Sequence, residues 1–247
     1  MTKTNIAIIG AAGRMGQMTF REIMADETAA CSAMLVRPGS PDDKDPVFLP
    51  DTKVGTGLFY STDKKAALEA SDVVVDFSTV EASLENLKLA TGIGVPLAIG
   101  VTGFSEEQLG TIKEAGEVIP VLLSYNMSLG ATALAVALGQ ISKALGDDFH
   151  IEITDIHHKM KKDAPSGTAL MLGAATGREK KDIKYVSHRK GNVIGEHHVL
   201  FSGPGEQIEI IHRAKDRRLF AKGALMAAHW LSGQKPGFYS LKDVLKS

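Results

Sequence analysis

Thirteen consecutive residues, His157-His158-Lys159-Met160-Lys161-Lys162-Asp163-Ala164-Pro165-Ser166-Gly167-Thr168-Ala169, bring two imidazoles, three lysines and a Pro-Ser-Gly-Thr turn together. An imidazole exchanges a proton near neutral pH, and a lysine holds a carboxylate as a point charge. The Gly-Thr pair that opens the following helix offers backbone N–H groups to an anion. A proton donor and an anion site therefore lie side by side, as a small acidic substrate requires. The apolar run Ile151–Ile156 leads into the segment and reads as a strand. A charged run of this kind can be no more than a solvated loop; the turn chemistry favours a built site.

Other chemistries fit these residues less well. His157 and His158, adjacent at a strand end, point to opposite sides and do not easily share a metal. Zinc would need further ligands at short spacing, and Glu196, His197 and His198 are the obvious donors. Glu196 and His198 share one strand face, but histidines on sheets far from any metal are common, so proton transfer is preferred and no metal is assigned. Ser166 lacks the G-x-S-x-G elbow of a hydrolase nucleophile.

A second constellation lies near the amino end. Gly10-Ala11-Ala12-Gly13-Arg14-Met15-Gly16 follows the run Ile6–Ile9 and opens a helical stretch. A turn without obstructing side chains lets a pyrophosphate reach the N–H groups at a helix start. The glycines alone are weak evidence, and their place between a strand and a helix is the context the dinucleotide fingerprint requires. Ala12 stands where that fingerprint has its middle glycine. The next apolar run ends at Val36-Arg37. NAD sites usually carry a carboxylate there for the ribose hydroxyls and NADP sites an arginine for the phosphate, so Arg37 favours NADPH over NADH. Gly100, Val101 and Thr102 follow the run Val95–Ile99, and Ser124, Tyr125, Asn126 and Met127 follow Ile119–Leu123. Strand ends of this kind bind ligands in open α/β sheets, and the Asn126 amide suits a nicotinamide.

These residues need a frame. In the first half, continuously apolar runs (Ile6–Ile9, Cys31–Val36, Val73–Phe77, Val95–Ile99, Ile119–Leu123) alternate with helical stretches (Arg14–Ala25, Lys64–Ala70, Val80–Ala90, Glu106–Ala115). Strands covered on both faces look like this, and the alternation predicts βαβ units in a doubly wound parallel sheet. Residues 37–57 read as a long surface excursion. The second half carries an apolar helix over Leu129–Leu145, the strand Ile151–Ile156, a helix near Thr168–Thr176, and strands near Ile183–Ser187, Glu196–Phe201 and Gln207–Ala214. Strands with little helix between them predict a mixed sheet with one open face. A last helix, Arg217–Trp230, leads to the Lys235-Pro236-Gly237 turn.

The string H-H-x-x-K-x-D-A-P-S-G-T-A resembles the signature of the dihydrodipicolinate reductases of lysine and diaminopimelate synthesis. The glycine loop resembles their G-x-x-G-R-M-G, Gly100–Phe104 their G-T-T-G-F, Ser124–Ser128 their A-P-N-F-S, and Arg189–His197 their R-x-G-x-x-x-G-E-H. The likeness runs from Ile6 to the Phe238–Leu245 tail. It departs at Val36, where the family often has an acid, at Val101, Tyr125 and Met127, and at Met226, where some members have arginine. The resemblance implies an α/β fold, a Rossmann-like domain over residues 1–126 completed by 227–247, and a smaller α+β substrate and oligomerisation domain over 127–226. It implies reduction of 4-hydroxy-tetrahydrodipicolinate with NADPH or NADH, His157 as general acid and Lys161 as second catalytic residue. His158, Lys161, Gly167 and Thr168 become substrate contacts, and the family's homotetramer is expected, formed through the mixed sheet. Two other readings stay open: a dehydrogenase of another small imine or keto acid, and a regulatory homologue that binds NADPH without turnover. His157 and Lys161 together argue against the second.

Composition bounds the rest. With 247 residues, 44% hydrophobic and 23% charged, the chain can bury one large core or two modest ones. A formal net charge of −1 leaves no global field for nucleic acid or an anionic membrane, so anion binding must be local. The run Ile6–Ile9 is too short for a signal sequence or a span, and a cytoplasmic protein is expected. The single cysteine, Cys31, lies in an apolar run and reads as a buried structural thiol.

Overall fold

A computed structural model describes residues 2–49 and 52–246. The chain divides into two compact units: residues up to Met127 together with Phe220 onward, and Ser128–Leu219.

The first unit is built on a sheet of eight strands: β1 (Thr4–Ile9), β2 (Ala29–Leu35), β3 (Pro46–Phe48), β4 (Gly55–Ser61), β5 (Val73–Asp76), β6 (Leu97–Ile99), β7 (Pro120–Leu123) and β12 (Gly237–Tyr239). Their order is β12-β7-β6-β5-β1-β2-β4-β3. All pairs are parallel except β3–β4. Central strands are buried on both faces, so β5 and β7 are buried throughout, as the Val73–Val75 run and the Val and Leu run of β7 require, with Asp76 buried at the end of β5. Helices α1 (Arg14–Ala25), α2 (Lys64–Glu69), α3 (Val80–Ile93) and α4 (Glu106–Ala115) supply the crossovers. Leu68, Leu87, Ala90 and Ile112 pack with Ala7, Leu35, Val74, Leu97 and Val121 in one apolar cluster.

The structure corrects two expectations here. Residues 37–57 are not wholly an excursion, because β3 and β4 form an antiparallel pair and β4 lies parallel beside β2. The strand escaped notice because Gly55 and Gly57 interrupt its apolar pattern and it buries no residue fully. The return to the first unit begins at Phe220, not 227, within α7 (Arg218–Leu231). That helix buries Ala221, Gly223, Ala224 and Leu225 in its first half, so it joins the core before Met226.

The second unit holds α5 (Leu129–Leu145), α6 (Gly167–Ala175) and a four-stranded sheet of β8 (His150–His157), β9 (Ile183–Arg189), β10 (Gly195–Ser202) and β11 (Gln207–Ala214), ordered β11-β10-β8-β9. β8 and β9 are parallel, while β10 runs antiparallel to β8 and β11. Burial alternates strictly along β8 and β10. One face packs Ile151, Ile153, Val199 and Phe201 against Leu134, Leu138, Ala169 and Leu172 of α5 and α6. The opposite face carries half-buried Ile156, Val186 and Leu200 and exposed Ile211 beside the ion pairs His198–Glu196 and Arg213–Glu196. Among the described residues no helix is long and apolar enough to cross a membrane.

Candidate active site

In the first unit, Gly10 ends β1 with φ +75°. A Cβ there would stand 2.6 Å from the Phe77 carbonyl oxygen, and one at Gly16 would stand 2.4 Å from the Gly10 carbonyl oxygen. Both contacts are with backbone, so only glycine permits this turn. Gly13 is the N-cap of α1, which has no side-chain cap and no acidic residue in its first turn, leaving the helix start suited to a phosphate. Gly10, Gly13, Arg14, Met15, Gly16, Phe77 and Gly100 line a cavity of about 250 Å³. The glycine cradle and the uncapped helix start fit a dinucleotide.

The other residues expected at a cofactor are distributed unevenly. Ala11 is fully buried and its N–H donates to the Leu35 carbonyl at 3.0 Å, so it holds the turn in place, whereas Ala12 is exposed. Arg37 is exposed just beyond β2. Thr102 and Tyr125 are exposed, but the Val101 and Met127 side chains are core residues at 6% and 3% exposure, so only their backbone is available to a ligand. Ser124 Oγ donates to the Asn126 carbonyl at 2.9 Å and shapes that loop. Asp76, unnoticed in the sequence, is fully buried at the end of β5. It accepts bonds from the Ser78 N–H (2.8 Å) and from Asn86 Nδ2 (3.0 Å), fixing the turn whose Phe77 meets Gly10. Burial pushes the Cys31 thiol up to about 12, which excludes a thiolate at neutral pH.

In the second unit, His157 closes β8 on the buried face at 7% exposure, while His158 is half-buried beyond the strand. His157 Nδ1 lies 2.9 Å from Oδ1 of Asp155, two residues earlier on the same face. Asp155 is fully buried and also accepts bonds from Ser187 Oγ (2.6 Å), the Ser166 N–H (3.3 Å) and Arg189 Nη1 (3.0 Å). Burial raises its carboxyl pKa, but these bonds outweigh burial and hold it below the usual range. Burial pushes His157 below the ordinary histidine value. The Asp155 bond opposes that shift, and the cations of Lys161 and Arg189 add to it.

His197 of β10 stands edge-on to His157 with centroids 5.2 Å apart, and His212 of β11 stacks on it at 5.8 Å. Burial and the neighbouring His157 drive His197 down to about 3, so it is a neutral spacer at working pH. Lys161 Nζ is 2.9 Å from Asp163 Oδ1. Ser166 caps α6 through the Ala169 N–H at 3.2 Å, and Gly167 and Thr168 form the first turn behind it.

Position 195 faces His157 across the sheet: a Cβ there would stand 3.2 Å from His157 Nε2. Glycine keeps that nitrogen clear. The sequence does not single out Asp155, Ser187 or the His197–His212 stack, and it offers Arg189 and Gly195 only as members of the Arg189–His197 motif, without a role at His157. Only the i, i+2 spacing of Asp155 and His157 was visible beforehand.

The glycine cradle at the end of β1, in a doubly wound parallel sheet, is that of an NAD(P)H-dependent oxidoreductase of the Rossmann class. Residues 4–127 match the family model described as dihydrodipicolinate reductase, N-terminus, and residues 130–245 the one described as dihydrodipicolinate reductase, C-terminus. The chain belongs to the dihydrodipicolinate reductase family. It is 40% identical to the 4-hydroxy-tetrahydrodipicolinate reductase of Anaeromyxobacter dehalogenans, covering 98% of this chain and 97% of that one. It is equally close, at 40%, to that of Hahella chejuensis, covering 98% of each. Its fold is that of the dipicolinate-bound dihydrodipicolinate reductase from Paenisporosarcina sp. TG-14, with a TM-score of 0.82, 23% identity, and 98% and 99% of the two chains covered.

Proposed function

We propose that this chain reduces 4-hydroxy-tetrahydrodipicolinate, with His157 as the proton donor, and the observation that carries the reading is the buried His157 imidazole bonded through Nδ1 to Asp155. NAD(P)H, when bound at the Gly10–Gly16 turn, Arg37, Gly100–Thr102 and Ser124–Met127, supplies a hydride. Once the substrate has lost its hydroxyl as water and taken up that hydride, an electron-rich enamine carbon must be protonated. His157 does this as an imidazolium. Lys161, His158 and the N–H groups of Gly167 and Thr168 hold the carboxylates; Lys161 exchanges Asp163 for the substrate. Support for a dicarboxylate comes from the dipicolinate in the Paenisporosarcina relative. Following NADPH absorbance with freshly synthesised substrate tests the activity. The expected result is its consumption; NADPH binding without consumption favours a regulatory homologue.

Arg37 supports NADPH as the preferred cofactor. A carboxylate at Val36 would repel the adenosine phosphate and accept bonds from the NADH ribose, and valine does neither. In Arg37→Ala the ratio of kcat/KM for NADPH over NADH falls, and in the parent it declines with salt because Arg37 is exposed. A parent that prefers NADH, or a ratio untouched by the substitution, rejects this assignment.

The open face of the mixed sheet, with Leu200 and Ile211, and its edge strand β11 support a homotetramer formed there. Light scattering is expected to give four chains, and a stable monomer at assay concentration overturns the proposal. A cytoplasmic location suits a consumer of reduced nicotinamide cofactor.

A further inference from the structure

We infer that Asp155 is the positioning residue of His157: it holds the ring by Nδ1, fixes the tautomer, and directs the transferred proton to leave from Nε2 on the side kept open by Gly195. The inference rests on the reading of His157 as proton donor.

A carboxylate with no exposed surface is costly to ionise unless it is paired and hydrogen-bonded. Asp155 meets four donors: Ser187 Oγ, the Ser166 N–H, Arg189 Nη1 and His157 Nδ1. Arg189 and Ser187 from β9 and the start of α6 thus hold both oxygens of a fully ionised acceptor. An ionised carboxylate only accepts. Nδ1 of His157 must then carry hydrogen whether the ring is neutral or charged, and Nε2 is the nitrogen that gains and loses a proton. In the transfer, the Nε2–H bond breaks as the enamine π pair forms a C–H bond, and the ring returns to its Nδ1–H tautomer without disturbing Asp155. Water then restores the proton.

The surroundings show why a carboxylate is needed. The charged and titratable groups facing His157 are Asp155 on its own strand, Lys161 in the loop that follows, Arg189 on β9 and His197 on β10, backed by His212 on β11. Burial and the two cations oppose an imidazolium, and Asp155 favours it. An arginine–aspartate pair serving the fold alone would not require the histidine as a fourth partner. Nor would it account for the glycine opposite Nε2.

Asp155→Asn tests this by two readouts, the pH dependence of kcat and the titration of the His157 imidazole followed by nitrogen-edited NMR. The neutral amide should shift the His157 titration and the matching limb of the kcat profile to lower pH, and mix the tautomers. At neutral pH, kcat falls by about one to two orders of magnitude, less than on loss of the imidazole, with KM little changed. Asp155→Glu recovers part of the loss. Ser187→Ala keeps the charge and leaves it leaning more heavily on the imidazole, so it moves the titration to higher pH and covers the case in which Asp155→Asn does not fold. Wild-type kcat and a wild-type His157 titration in folded Asp155→Asn, or no shift in Ser187→Ala, overturn the inference and leave Asp155 a structural pair. Undiminished turnover in His157→Gln instead removes the proton-donor reading, and this one with it.

Discussion

His157→Gln is expected to lower turnover by about two to four orders of magnitude, the usual share of general acid catalysis. The side chain sits at 7% exposure at the end of β8 with one partner nitrogen on Asp155. Glutamine fills a similar volume and its amide can meet the carboxylate, so folding and cofactor binding should persist while the transferable proton is lost. Melting temperature and NADPH titration separate that outcome from simple unfolding. Lys161→Ala provides the complement. It should raise KM for the dicarboxylate because a charge-assisted bond is gone, whereas His157→Gln acts on kcat. Turnover unchanged in His157→Gln rejects the assignment of the acid, and substrate affinity unchanged in Lys161→Ala moves the anchor elsewhere.

Gly223→Ala should be the most destabilising small substitution in the first unit. A Cβ at Gly223 would lie 1.8 Å from the Met127 carbonyl oxygen and 2.9 Å from its carbon. Both belong to the main chain and cannot rotate away, so α7 must shift from the segment that follows β7. Overpacking of a tight core costs about 1–3 kcal/mol and at times more, and a backbone collision belongs at the upper end. At roughly 2–4 °C per kcal/mol for a chain of this size, about 3 kcal/mol lowers the melting temperature by about 6–12 °C. Gly110→Ala within α4 is the control, since no atom lies within 4 Å of the added carbon. Removing a mid-helix glycine should stabilise by about 0.5–1 kcal/mol. Melting temperatures that fail to separate the two variants would show that the approach of α7 to Met127 is not tight. Gly173→Ala should fall between them, because the atom met at 1.9 Å is the Tyr185 hydroxyl, the end of a side chain that can turn.

Much of the frame was legible because its signals are local. Burial on both faces makes a strand continuously apolar, and β1, β5 and β7 could be read directly from their Ile, Val and Leu runs. The helix expected over roughly Leu129–Leu145 and the strand expected near Gln207–Ala214 both form at those places. β4 was lost because a strand near the sheet edge buries little and tolerates Gly55 and Gly57. The return at Phe220 was placed too late because a helix pattern tells which side is buried, not which core receives it.

The chemical types were likewise present in the chain order: an imidazole, a lysine and a helix start within thirteen residues, and a glycine turn between a strand and a helix. Their surroundings were not. His157 meets Ser187 and Arg189 through Asp155 because β9 lies parallel to β8 in one register, pairing Asp155 with Ser187 and His157 with Arg189. It meets the space at Gly195 and the edge of His197 because β10 runs antiparallel on the other side, with His197 opposite Asp155. The period of two assigns each residue to a face, but a slip of one position in either neighbour would have turned Ser187, Arg189, Gly195 and His197 to the opposite face. Sequence alone therefore determined which residue types stand together along the chain, the imidazoles and lysines beside a helix start and the glycines between a strand and a helix. The tertiary pairing of strands more than thirty residues apart decided which donors hold the carboxylate beside the imidazole, because register is set by the packing of the whole buried face and not by any segment of it.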